Sequence, residues 1–270
     1  AAYPKWWAPF VTIADLRDTK TQTRLKLNDF GTLATVGELG PYLNVAWGDT
    51  EETYTVSKRG NLVYVSLEAI INDDTRAFTR LPRKLAAAAV VTVNEFVAGL
   101  FTGNPSLSDL TPVFHASRGN LGSAALDATT LAAGITAMRK VTNTAGKRLG
   151  LYPRYLLVPP DLEFAAFVLV NSTLLPGSQN NDVNALKGIV TPITVPDFTD
   201  ANNWYLVADP ATAESIEIGF LNGREAPELL VQDDPRSGYN FSHDAITWKV
   251  RWIFGGGWLD ARSAYGAIVA

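Results

Sequence analysis

The chain has 270 residues, 47% of them apolar, 10% aromatic and 19% charged, enough for one large domain or two small ones. Its net charge of −4 argues against a dedicated nucleic-acid binder, which needs lysine and arginine to neutralise phosphates, but leaves room for loose contact with DNA. Cysteine is absent and histidine occurs twice, which removes disulfides, thiol nucleophiles and thiolate metal sites together.

Residues 1–31 read as polar and irregular. The opening AAYPKWWAPF has no basic region ahead of an apolar run, so it does not read as a signal peptide. The chain starts without Met, which fits a product trimmed from a longer precursor or a numbering that begins later. Trp6, Trp7 and Phe10 are large aromatics on an arm with no core of its own. They need a partner surface, on the body of the chain or on a neighbouring subunit.

From 32 to 65 the pattern is extended. Two β-rich runs, 53–57 and 62–65, flank the turn-like Lys58-Arg59-Gly60-Asn61, which predicts a long hairpin with little core beneath it. A lone hairpin is marginal in water, so this one is expected to lie on another surface. Asn72-Asp73-Asp74-Thr75 supplies helix N-cap chemistry for a helix over 73–103, with Pro82 expected to kink or divide it. The apolar run 85–101 is slightly short for a membrane span and carries Asn94 and Glu95, so a buried helix is expected. Arg76, Arg80, Arg83 and Lys84 cluster at its start, as a solvated face or as a contact for DNA or a neighbour's acidic patch.

Beyond 103 the chain reads as mixed α/β. Helices are expected over 126–141 and 159–169, and strands over 155–158, 189–195, 204–207, 215–220 and 246–254. A polar loop is expected at 178–184. Gly255-Gly256-Gly257 is expected to break the penultimate strand as a bulge or tight bend, before a last strand. Catalytic signals are weak. His115 has no activated serine partner because no G-x-S-x-G turn exists, and His243 is expected not to engage its neighbours in a polar turn. The acidic pairs 51–52, 73–74 and 233–234 lack calcium-loop spacing. No catalytic, cofactor or metal residue is assigned.

Several local patterns, in order, resemble the major capsid proteins of the Mu-like phages, a branch of the Hong Kong 97-type capsid fold. They are Leu67-Glu68-Ala69-Ile70-Ile71-Asn72-Asp73-Asp74, Phe114-His115-Ala116-Ser117-Arg118-Gly119-Asn120-Leu121, Tyr155-Leu156-Leu157-Val158-Pro159, Trp204-Tyr205-Leu206-Val207-Ala208-Asp209-Pro210 and Lys249-Val250-Arg251. The relatives usually carry Asp-Gly before the Phe-His segment, where this chain has Leu110-Thr111-Pro112.

The resemblance implies an α+β fold with an N-terminal arm (1–31), an extended loop (32–60) and a peripheral domain (61–115) with a spine helix (73–103). An axial domain (116–245) and C-terminal strands (246–270) complete it. It implies no enzyme and no cofactor, but a subunit that self-assembles through pentamers and hexamers into the icosahedral head of a tailed phage. The head encloses double-stranded DNA, lies in the virion and is assembled in the host cytoplasm without a membrane. Decoration, portal and scaffold or protease proteins are its further partners. On this reading Trp6, Trp7, Phe10, Trp47, Asp49, Glu51 and Glu52 contact neighbouring subunits, and Arg76, Arg80, Arg83 and Lys84 form an interior basic cluster. Some relatives of the fold join a loop lysine to a neighbour's asparagine. No lysine lies between 32 and 57, so a shell without covalent links is expected. An encapsulin-like nanocompartment and, more remotely, a soluble α/β hydrolase are the alternatives.

Overall fold

A computed structural model describes residues 4–27, 31–42, 44–45, 48–73, 77–175 and 182–269. In chain order the strands and helices are β1 (Val11–Leu16), β2 (Gln22–Leu27), β3 (Asp49–Tyr54), β4 (Val56–Ser66), α1 (Leu67–Ile71), α2 (Leu81–Thr102), β5 (Leu121–Gly122) and α3 (Ala128–Lys140). Then follow β6 (Pro153–Val158), α4 (Glu163–Asn171), β7 (Thr191–Thr194), β8 (Trp204–Ala208), β9 (Ile216–Leu221), β10 (Glu228–Gln232), α5 (Gly238–His243), β11 (Ala245–Trp258) and β12 (Ala264–Ala267).

The first sheet is organised by β11. That strand runs antiparallel to β4 from Ala245↔Ser66 to Gly255↔Val56 and to β10 from Thr247↔Gln232 to Arg251↔Glu228. It then pairs with β9 from Phe254↔Phe220 to Trp258↔Ile216. Its long alternation of Trp248, Val250, Trp252 and Phe254 suits one half-buried sheet face. β1 adds in parallel to β9, Val11↔Ile216 to Leu16↔Leu221. The expected irregular arm is thus in part a strand, whose partner lies some 200 residues away and leaves no local mark.

α2 packs on this sheet through Leu85, Ala89, Val93, Val97 and Phe101, spaced by four and buried together. Phe101 meets Trp258 edge-on at 5.0 Å, and Trp258 Nε1 donates to the Leu100 carbonyl at 2.8 Å. The helix has the length and composition of a membrane span, but its apolar stripe faces the core. The second sheet, β5-β12-β8-β6-β7, builds a separate core with α3 and α4: Leu131, Ile135 and Met138 meet Leu156, Val158, Ala166, Val170, Trp204 and Leu206.

Four expectations change. The hairpin is β2 with β3, Gln22↔Tyr54 to Leu27↔Asp49, while β4 runs straight through Lys58-Arg59-Gly60-Asn61 because the ladder to β11 outweighs the local turn residues. The long helix starts at Leu81, eight residues later than expected, and Pro82 sits in its first turn, where proline costs no hydrogen bond and makes no kink. Asp73 caps the backbone ahead of it instead, accepting from Ala77 N at 2.9 Å and Phe78 N at 3.0 Å. Gly255-Gly256-Gly257 lies inside β11 and does not break it. A Cβ on Gly255 would lie 2.2 Å from the Thr55 carbonyl oxygen and one on Gly256 2.5 Å from that of Glu217, so the glycines let three strands approach closely. β10 and α5 were not foreseen, and part of the expected polar loop 178–184 lies outside the described residues.

Candidate assembly surfaces

The β2–β3 hairpin leaves the body as an excursion whose root is held by charge. Glu217 is buried in β9 and receives Arg24 Nε at 2.8 and 3.0 Å, one bond to each carboxylate oxygen, and the Tyr54 hydroxyl at 2.5 Å. The hydrogen bonds that Arg24 donates to Glu217 raise its pKa further. Burial, with the neighbouring carboxylate, pushes the Tyr54 phenol far above its ordinary value, so it stays neutral and donates. Beside it, Asp260 pairs with Lys26 and with Arg262, the latter at 3.0 Å. Burial opposes ionisation of Asp260, but the two cations overcome it and hold the carboxyl below the usual carboxylate range. A third tie is Glu52, which accepts from Ser108 N at 3.0 Å and Ser108 Oγ at 2.8 Å.

Beyond that root the excursion exposes Leu25, Leu27, Leu33, Leu39, Tyr42 and Val45. Six large apolar side chains on one segment, each more than half exposed, make a surface suited to association. A second apolar surface lies on α4, where Phe164, Phe167 and Val168 face outward at i, i+3 and i+4.

The expected contact residues divide. Trp6, Trp7 and Phe10 are at most 6% exposed and belong to the chain's own core, which corrects their assignment to a neighbour. Trp7 Nε1 donates to Asn94 Oδ1 at 2.9 Å, Trp6 Nε1 donates to Asp197, and Phe10 stands edge-on to Phe101 at 6.0 Å. The arm finds its partner in α2, and no ring area is left for another subunit. Glu52 also serves its own chain, through Ser108. Asp49 and Glu51 are exposed on β3. Trp47 and Arg76 lie outside the described residues. Arg80, Arg83 and Lys84 are exposed on one face of the start of α2.

The residues that sequence reasoning missed are Arg24, Lys26, Tyr54, Glu217 and Asp260. Their partners are separated by 163 to 234 positions, so no spacing announces them. The Phe114–Leu121 motif, in contrast, is structural. Asn120 is buried, accepts from His115 N at 3.1 Å and donates to the carbonyls of Val113 and Ala261 at 2.8 and 3.0 Å. His115 Nδ1 lies 2.7 Å from Ser117 Oγ. His243 Nδ1 lies 2.7 Å from Ser242 Oγ, against the expectation that it ignores its neighbours. Both contacts are local and exposed. Among the described residues no carboxylate hydrogen-bonds either ring, so neither completes a triad.

The sequence profile of the phage capsid protein family matches residues 50–267. Among curated proteins no relative matches. Solved structures of the same fold include the capsid of cyanophage P-SCSP1u, 11% identical, with a TM-score of 0.67 over 98% of this chain and 88% of that one. A structure from Gordonia phage Cozz is 12% identical, with a TM-score of 0.65 over 100% and 88%. One from Microbacterium phage Oxtober96 is 10% identical, with a TM-score of 0.64 over 98% and 90%. With the family profile spanning more than half the chain and the fold matching that of the cyanophage capsid, this chain belongs to the phage capsid protein family and is a shell-building major capsid subunit.

Proposed function

We propose that copies of this subunit close through pentamers and hexamers into the icosahedral head of a tailed phage and enclose its double-stranded DNA. The observation that carries the assembly reading is the projecting excursion, rigidly held by Arg24, Tyr54 and Glu217 at its root and apolar beyond it. Its leucines and Tyr42 lie on a neighbouring copy in the shell, with Asp49 and Glu51 at the rim and Trp47 among the contacts. Arg76, Arg80, Arg83 and Lys84 face the genome, whose phosphates they offset without sequence preference. The arm spans 1–31, the extended loop 32–60 with its root at β2, the peripheral domain 61–115 and the axial domain 116–245. The subunit does no chemistry. It is assembled in the host cytoplasm with scaffold or protease, portal and decoration proteins.

Replacing residues 32–45 by a short Gly-Ser linker tests this. The subunit should fold with unchanged circular dichroism yet yield no closed particles, and normal particles from that variant would refute the reading. Micrographs of the natural chain separate a DNA-filled, tailed head from a nanocompartment.

A further inference from the structure

The end of α3 carries a second group of cations that the assembly surfaces do not use. Arg139 and Lys140 close the helix, and the chain then reverses through a tight hairpin. Asn143 N donates to the Lys147 carbonyl at 2.7 Å, Lys147 N donates to Asn143 Oδ1 at 2.7 Å, and Leu149 N donates to the Val141 carbonyl at 2.9 Å. Gly146 takes the left-handed conformation the reversal needs, at φ 74°. The hairpin thereby returns Arg148 to the helix end, where Arg139, Lys140, Arg148 and Tyr152 line one shallow concavity of about 490 Å3. Arg139 is fixed there, its guanidinium 4.4 Å from the centre of the Tyr152 ring and its Nη2 donating to the Tyr152 hydroxyl at 2.5 Å.

Arg139, Lys140 and Arg148 line the concavity and Lys147 adjoins Arg148 in sequence; all four are exposed, and none takes part in an ion pair among the described residues. Arg139 and Lys140 complement the negative end of the α3 dipole. That does not account for Arg148, which lies beyond the helix on a segment that returns it to the helix end, nor for Lys147 beside it in sequence. In a chain of net charge −4 such a group is a local reversal of sign.

We propose that this concavity receives the phosphate backbone of duplex DNA without reading its sequence. The proposal rests on the reading of the shell as a genome container and adds a contact site in a different part of the fold. The chemistry of the surface selects phosphate over an acidic protein. A protein interface has an apolar centre. Here Leu149 and Tyr152 are the apolar side chains, and Arg139 lies over one face of the Tyr152 ring. A planar guanidinium held flat keeps its other N–H groups free to fork onto phosphate oxygens, and the lysines add charge on flexible stems.

The test is fluorescence anisotropy of a labelled 20-base-pair duplex with the full-length, unassembled subunit over a salt series. Four phosphate contacts predict an affinity loss of about 100-fold between 50 and 200 mM salt; the paired variant Lys147→Gln/Arg148→Gln should cut this to about 10-fold. Arg139→Gln/Lys140→Gln should act alike. An unchanged salt slope in both variants overturns the proposal, as does no duplex binding by the natural chain at 50 mM salt. Binding of polyglutamate in place of DNA, or loss of binding only in Arg80→Gln/Arg83→Gln/Lys84→Gln, overturns it as well. Particle formation by the same variants is read separately in micrographs. Failure of the natural chain to form shells would sink the container reading, whereas shells without duplex binding would sink only this site.

Discussion

Arg24 of β2 and Glu217 of β9, 193 residues apart, meet through two hydrogen bonds of 2.8 and 3.0 Å, and that contact fixes the angle at which the hairpin leaves the body. Removing the cation leaves a buried carboxylate that, among the described residues, has Tyr54 alone to satisfy it. Arg24→Ala should therefore lower the stability of the free subunit by about 2 kcal/mol. Particle yield should fall more steeply than stability, because the hairpin loses its bearing. A urea midpoint series beside a sedimentation assay of particles checks both, and normal yield at reduced stability would contradict the orienting role.

Trp7→Ala should act on folding, not on assembly. The ring is 1% exposed and bonded to Asn94, so its loss opens a cavity costing about 3–5 kcal/mol. Free subunit should become largely insoluble or strongly destabilised. A soluble, stable subunit that merely fails to assemble would restore the contact between subunits that the sequence suggested.

The glycines of β11 and α2 give opposite expectations. Gly255→Ala places a Cβ 2.2 Å from a backbone oxygen and should abolish soluble expression. Gly99→Ala, in α2 with open space around it, should raise stability by up to about 1 kcal/mol. Thermal unfolding of the Gly99 variant and solubility of the Gly255 variant measure the two.

Much of this architecture was legible in the sequence where its determinants are local. The end of α2, the span of α3 and the apolar runs of β6, β8 and β9 fall close to where the sequence puts them. What was missed depends on distant partners. β1 is a strand because β9 lies beside it, and β4 ignores its Gly60-Asn61 because Arg251 and Val250 stand opposite. At the hairpin root nothing was visible, since Glu217 and Asp260 look like ordinary acids until the fold brings Arg24 and Lys26 to them. The arm aromatics did announce burial, but not whose core would bury them.

Acid should loosen the hairpin root. Asp260 has a depressed folded-state pKa, so its contribution is fully present above the unfolded carboxylate value and is lost as pH falls through the lower folded value. The natural subunit should exceed Asp260→Asn in thermal midpoint at pH 6, and the difference should shrink below about pH 4. A difference that stays constant to pH 2 would show that the pair with Lys26 and Arg262 contributes nothing through charge.

The shell should carry no covalent links between subunits. Lys26 is a lysine on the hairpin itself, but its ammonium is held by Asp260 of the same chain, and the segment 32–57 has none. Boiled particles on a denaturing gel should give one band near 29.2 kDa. A ladder of multiples resistant to detergent would show that a lysine reaches a neighbour after all.

The placement of β11 has a consequence for biogenesis. The strand β11 follows β4, β9 and β10 in the chain, so β1 and β9 can pair early, but among the described residues β4 and β10 find no strand partner until residues 245–258 have left the ribosome. Such non-local closure makes folding slow. It also keeps the nascent subunit incompetent until β11 has emerged, so that chains crowded on one polysome do not begin to build a lattice before then.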